Sequence, residues 1–185
     1  ITNIKISIKC LNESLDSVKH KLSKSGVIYN DKDANFVTFK AQGFFYSIYT
    51  PKNKDPKNFC HINVTGIKSF ELIDSSISFF KKLKINIIKK TFKIDNITAS
   101  LDIKQEVVLI DLITKTSLYK SPYYNIAIKY NNETFPGAFF RVRKDDTKIG
   151  TISIFSSGKV NFVGCHNLKG VECLESLILA LTQMK

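Results

Sequence analysis

Two Cys-His pairs are the first places to look for chemistry: Cys60-His61 and Cys165-His166. A thiol beside an imidazole can serve as an activated nucleophile or as half of a metal site. Either role needs partners at a defined spacing. The four cysteines, Cys10, Cys60, Cys165 and Cys173, form no CxxC, and the remaining histidine, His20, completes no zinc pattern. Half-buried strand thiols in a reducing compartment are the reading. Acidic residues are not clustered and no glycine-rich phosphate loop occurs, so no enzyme, metal or cofactor is expected. The chemistry left is non-covalent. It concentrates in Phe135 to Gly164, FPGAFFRVRKDDTKIGTISIFSSGKVNFVG, where aromatic and basic residues interleave.

That stretch reads as three strands. Phe135 to Val142 is apolar and aromatic, with Arg141 and Arg143 interleaved at its end. Lys144 to Lys148 is a charged turn, Thr151 to Phe155 a second strand, Ser156-Ser157-Gly158 a second turn, and Lys159 to Val163 a third strand. Period two with turn punctuation predicts an antiparallel meander.

The stretch resembles the second repeat of the TATA-box-binding protein family. The resemblance rests on Phe135-Pro136-Gly137, Arg141, Ile154-Phe155-Ser156-Ser157-Gly158-Lys159 and Gly164. Composition agrees with such a partner. The 185 residues carry 28 Lys and Arg against 16 Asp and Glu, a net charge of +12, which suits a polyanion by field and by counterion release. On charge alone a lysine-rich solvated surface is the simpler account. Residues 1–90 hold +9 of the excess and residues 91–185 hold +3. A hydrophobic content of 43% suffices for a core. No apolar run of transmembrane length or signal peptide is seen, and no membrane partner is expected. Residue 1 is not Met, so residues that precede it are expected. The bias toward Ile, Lys and Asn is what an AT-rich coding genome produces.

The elements that must position these residues follow from periodicity. Ile1 to Cys10 alternates, with Ile4, Ile6 and Ile8 on one face and Asn3, Lys5, Ser7 and Lys9 on the other. Leu15, Val18 and Leu22 predict a short helix ended by Gly26. Asn35 to Tyr49 reads as two strands about an Ala41-Gln42-Gly43 turn, followed by a basic loop, Thr50 to Asn58, and a strand, Phe59 to Gly66. Glu71 to Lys84 is a helix. The order then recurs: a strand over Thr91 to Ile103, a helix over Val107 to Thr114, an aromatic loop or strand over Tyr119 to Tyr130, the meander, and a helix over Gly170 to Met184.

Residues recur as well. Asn3-Ile4 answers Asn96-Ile97, Asn63-Val64-Thr65-Gly66 answers Asn161-Phe162-Val163-Gly164, and Glu71, Ile73, Ile77 and Phe80 answer Glu172, Leu174, Ile178 and Leu181. Two repeats, residues 1–90 and 91–185, are read from this recurrence, and the resemblance implies that together they form one saddle-shaped domain. The resemblance implies an α+β fold: a pseudo-symmetric saddle of two repeats, with a curved antiparallel sheet of about ten strands and four helices on its convex face.

What the resemblance implies for function is carried residue by residue. A DNA-binding transcription initiation factor is expected, one that binds the minor groove of A/T-rich promoter DNA and bends it with aromatic wedges. Phe135 and Phe155 match the second-repeat wedges, and Phe36 and Tyr49 take those places in the first. Core packing is the alternative for each ring, in a chain with 14 Phe. Asn3 and Asn96 match base-edge asparagines, and Thr65 and Val163 match groove-facing residues. Lys5 and Thr98 stand where the family has valines. Arg141 and Lys159 match phosphate contacts, extended by Arg143, Lys144 and Lys148. Arg141's first-repeat counterpart is expected at Gln42, with Lys52, Lys54 and Lys57 standing in for it. Glu133 is the one kept glutamate of the stirrup that recruits a TFIIB-like initiation factor and the RNA polymerase machinery. A divergent partner is expected, in a TBP-like protein of a large DNA virus or a distant eukaryote. The location would be the nucleus, or a cytoplasmic viral factory. The alternative is a protein-interaction module with weak or non-specific DNA binding.

Overall fold

The computed structural model describes residues 1–11, 13–33, 35–50 and 59–184. The chain divides into two compact units, Asn3–Asp95 and Asn96–Lys185, the latter joined by Ile1–Thr2. The first contains β1 (Asn3–Leu11), α1 (Leu15–Lys24), β2 (Tyr29–Asp33), β3 (Phe36–Ala41), β4 (Phe44–Tyr49), β5 (Phe59–Ile67), α2 (Leu72–Lys82) and the start of β6 (Ile87–Asp102). The second contains the end of β6, α3 (Leu109–Leu118), β7 (Asn125–Tyr130), β8 (Gly137–Lys144), β9 (Thr147–Phe155), β10 (Lys159–Cys165) and α4 (Leu168–Gln183). The α+β class expected from the sequence is what the chain has: among the described residues, ten strands with antiparallel pairing and four helices.

In the first unit the strands run in the order β2-β3-β4-β5-β1-β6. Alternation sorts their side chains. Ile4, Ile6, Ile8, Val37, Phe39, Tyr46, Ile48, Ile62 and Val64 are buried, together with Leu15, Val18 and Leu22 of α1 and Phe79 and Phe80 of α2. The core is aromatic: the Tyr46 ring stacks on Phe39 at 4.9 Å and meets Phe80 edge-on at 5.3 Å. Burying a phenol requires a partner for its hydroxyl, and Tyr46 Oη donates to the Ser76 carbonyl at 3.0 Å. The hairpin between β3 and β4 closes through Gln42 and Gly43, both at positive φ (52° and 83°), the pairing that a two-residue turn demands. Ser14 caps α1 through Ser17 N–H, and Lys21 of that helix pairs with the buried Glu13.

The second unit runs β6-β10-β9-β8-β7. Ala138, Phe140, Val142, Ile152, Ile154, Val160 and Phe162 are buried with Val171, Leu174, Leu177, Ile178 and Leu181 of α4. This core is more aliphatic. Asn167 caps α4 by accepting from Gly170 N–H at 2.8 Å.

Some boundaries differ from expectation. The helix expected over 107–114 is α3, Leu109–Leu118. Val107 N–H is committed to the Ser156 carbonyl at 2.8 Å, which delays the start. Thr114, Thr116 and Ser117 then return their hydroxyls to carbonyls four residues back, carrying the helix past Thr114. Strand β2, YNDKD, has no apolar periodicity and was not expected. It is an edge strand held by pairing with β3. The strand of 119–130 is confined to β7. Among the described residues, no helix is long and apolar enough to cross a membrane.

Candidate nucleic-acid interface

In each unit one face of the strands is buried and the other is open. The open face of the second unit is built from cross-strand rows. Arg141 pairs with Thr151, and Thr151 with Val163. Phe139 pairs with Ser153, and Ser153 with Asn161. Gly137 pairs with Phe155. Phe135, two residues before Gly137, stacks on Phe139 at 4.6 Å and lies 5.5 Å from Phe155. A Cβ at Gly137 would come within 2.9 Å of the Phe135 ring and 3.1 Å of the Phe155 ring. Glycine is therefore what lets those two rings close over the strand. Three phenyl rings thus meet at one end of the rows and Arg141 and Arg143, both exposed, stand at the other. The Ser156-Ser157-Gly158 turn is held by Ile103 N–H on the Gly158 carbonyl and Val107 N–H on that of Ser156, which fixes Phe155 and Lys159 on either side. Lys159 is exposed and lies opposite Asp102.

Lys148 is the cross-strand partner of Arg143. Its ammonium lies beside Gly164, in a cleft of about 440 Å³ shared with Lys144, His166, Asn167 and Lys169. Glu133 is exposed in the turn between β7 and β8, where its N–H donates to Asn131 Oδ1 at 3.0 Å.

The first unit has the same rows with different occupants. Lys40 pairs with Phe45, and Phe45 with Thr65; Thr38 pairs with Ser47, and Ser47 with Asn63. Phe36 pairs with Tyr49, Tyr49 with His61, and His61 with Lys9. Phe36 and Phe45 are 40% and 39% exposed, so neither is a core side chain. The Tyr49 ring stacks on His61 at 5.4 Å. Sequence counting from Phe36 set Gln42 opposite Arg141, but Gln42 lies in the hairpin turn. The residue in Arg141's row is Lys40, which is exposed. The register is the reason. Phe36 occupies the row of Gly137, and the position matching Phe135 is residue 34, outside the described residues. Lys52, Lys54 and Lys57 also lie outside them.

Asn3 and Asn96 sit at matching irregularities. Register shifts interrupt the β1–β5 and β10–β6 ladders near Gly66 and Gly164, which have φ of 86° and 84°. A glycine in this left-handed conformation forms a bulge whose N–H leaves the ladder. Asn3 Oδ1 accepts the Gly66 N–H at 2.7 Å, and Asn96 Oδ1 accepts the Gly164 N–H at 2.7 Å. Thr65 and Val163 immediately precede the bulge glycines, and Val163 is 40% exposed.

The Cys-His pairs come apart on the strands. Alternation turns Cys60 into the core and His61 to the open face, and it buries Cys165 while His166 is exposed. Burial pushes the Cys165 thiol up to about 11. A hydrogen bond with Cys10, reinforced by burial, raises that of Cys60. Such thiols stay protonated and unreactive. Among the described residues no group of three His, Cys, Asp or Glu could hold a metal ion.

Residues 91–174 match the family described as "Transcription factor TFIID (or TATA-binding protein, TBP)". The whole chain has the TBP fold: it is similar to Methanococcus jannaschii TBP with a TM-score of 0.66 and 22% identity, over 99% of this chain and 96% of that one. No curated protein matches the chain. The TBP family is one of non-enzymatic DNA-binding transcription factors.

Proposed function

We propose that this TBP-like chain is a transcription initiation factor that binds A/T-rich promoter DNA in the minor groove and bends it. The observation that carries the reading is the open face of the second unit. Phe155, Arg141, Arg143, Lys159 and the Asn96 amide belong to one set of paired strands, and the Phe135 ring packs against Phe139 and Phe155 at its end. A ring inserted between base pairs unstacks them and kinks the duplex. Guanidinium and ammonium groups then hold the phosphates without reading sequence. The first unit presents Phe36, Tyr49, Thr65 and Asn3 in comparable rows, with Lys5, Lys9 and Lys40 adding charge. Lys148, beside Gly164, would reach phosphate only at the margin of the face. Glu133, exposed on its turn, is the contact proposed for a TFIIB-like factor and the polymerase machinery.

Binding to an end-labelled A·T-rich duplex and to a G·C-rich control, followed by fluorescence anisotropy at several salt concentrations, tests the reading. Tighter binding of the A·T duplex, with a log–log salt slope of several units, is expected. Equal affinity for both duplexes with the same slope contradicts minor-groove reading. It would leave a basic surface whose partner is another protein.

A further inference from the structure

Gly66 and Gly164 belong to no set of residues expected to meet DNA, yet each donates its N–H to an asparagine side chain on an open face. An asparagine amide has a donor end and an acceptor end of nearly the same shape, and half a turn about its last bond exchanges them. A backbone N–H can only donate, so only Oδ1 can rest against it. We propose that the two bulge glycines are positioning residues that fix the polarity of Asn3 and Asn96, so that both amides offer donors alone to a bound duplex. This rests on the function proposed above and gives that surface its selectivity.

Three observations support the assignment. The same 2.7 Å bond occurs in both units, at glycines of nearly equal φ, 86° and 84°. The ladder shifts register at both places, so each N–H would otherwise lack a strand partner. In the second unit Asn96 Nδ2 also reaches Thr98 Oγ1 at 3.3 Å, which opposes rotation of the amide from its other end. The consequence follows from base chemistry. Adenine N3 and thymine O2 accept, whereas the guanine N2 amino group donates. A free amide could rotate to accept from that amino group. A clamped one sets N–H against N–H and rejects it. The bulge needs left-handed backbone, which a residue with a Cβ adopts under strain, so the clamp depends on glycine.

The test uses two duplexes that differ only by a minor-groove amino group: a TATA-like A·T duplex and the same duplex with 2-aminoadenine for adenine. The unaltered chain should bind the A·T duplex about tenfold more tightly. In the Gly66→Ala/Gly164→Ala protein the ratio should fall to within about threefold of unity, as the amides become free to rotate. In Asn3→Asp/Asn96→Asp, which keeps an acceptor for each bulge N–H but removes the donors, the ratio should drop below one. A merely structural role for the glycines weakens both duplexes alike and leaves the ratio unchanged, and that result overturns the proposal. Should the glycine variant fail to fold, the aspartate pair decides: an unchanged ratio there also overturns it. If the unaltered chain binds the A·T duplex yet ignores the added amino group, the clamp fails while the broader reading stands. If it binds neither duplex, the broader reading fails first.

Discussion

The two units use one arrangement of strands for two kinds of surface. In the second, the rows carry Phe139, Phe155 and Arg141, with Phe135 closing over Gly137. In the first, the corresponding places hold Thr38, Tyr49 and Lys40, and the row of Tyr49 continues into His61 and Lys9. One face is apolar, with guanidinium groups beside it. The other also exposes rings, Phe36 and Phe45, but sets them among hydroxyls and lysines. What both share is the asparagine–glycine bulge, identical in partners and in length. The lesson is that backbone hydrogen bonding fixes where a side chain stands, while the kind of side chain is free to diverge. On this account the second unit deforms DNA and the first holds it by charge.

The comparison extends to the cores, and there the largest effect is expected. Phe80 is fully buried among the aromatic rings of the first unit. Phe80→Ala should cost about 3–5 kcal/mol in denaturant unfolding. A loss below about 1 kcal/mol would mean that this core does not have the packing described.

Alkali should also weaken the aromatic core of the first unit. Burial raises the Tyr46 hydroxyl from 10.0 to about 12. A raised pKa favours the neutral form in the fold, so its stability contribution is complete below pH 10 and is lost as pH rises toward 12. The loss amounts to about 2–3 kcal/mol, and Tyr46→Phe should remove that part of the pH dependence. The check is a series of unfolding curves over that range.

A smaller effect sharpens the comparison of rows. Arg141→Ala and Lys40→Ala should each lower the log–log salt slope of DNA binding by about one unit. A change with Arg141 and none with Lys40 would break the correspondence drawn from the register.

Much of this was legible in the chain. Alternation of Ile4, Ile6 and Ile8 with Asn3, Lys5 and Ser7 gave the phase of β1, because burial on one face forces period two. Repetition of Asn-Val-Thr-Gly as Asn-Phe-Val-Gly gave the internal repeat, but not the bulges that its glycines form. Strand β2 was hidden because an edge strand needs no apolar face. Lys40 was hidden because the count matched Phe36 with Phe135, whereas cross-strand pairing sets Phe36 in the row of Gly137, two residues further on. The clamp on the asparagines was hidden for a related reason: it joins residues 63 and 68 positions apart, which spacing alone cannot connect.

The central claim is that the second unit bends DNA and the first mainly holds it. The most direct test is the end-to-end distance of a doubly labelled A·T-rich duplex, read by FRET at saturating protein. Phe135→Ala/Phe155→Ala should abolish the approach of the ends, whereas Phe36→Ala/Tyr49→Ala should reduce it only in part. Equal loss from both pairs, or an approach that survives the first pair, would contradict the division of labour between the units.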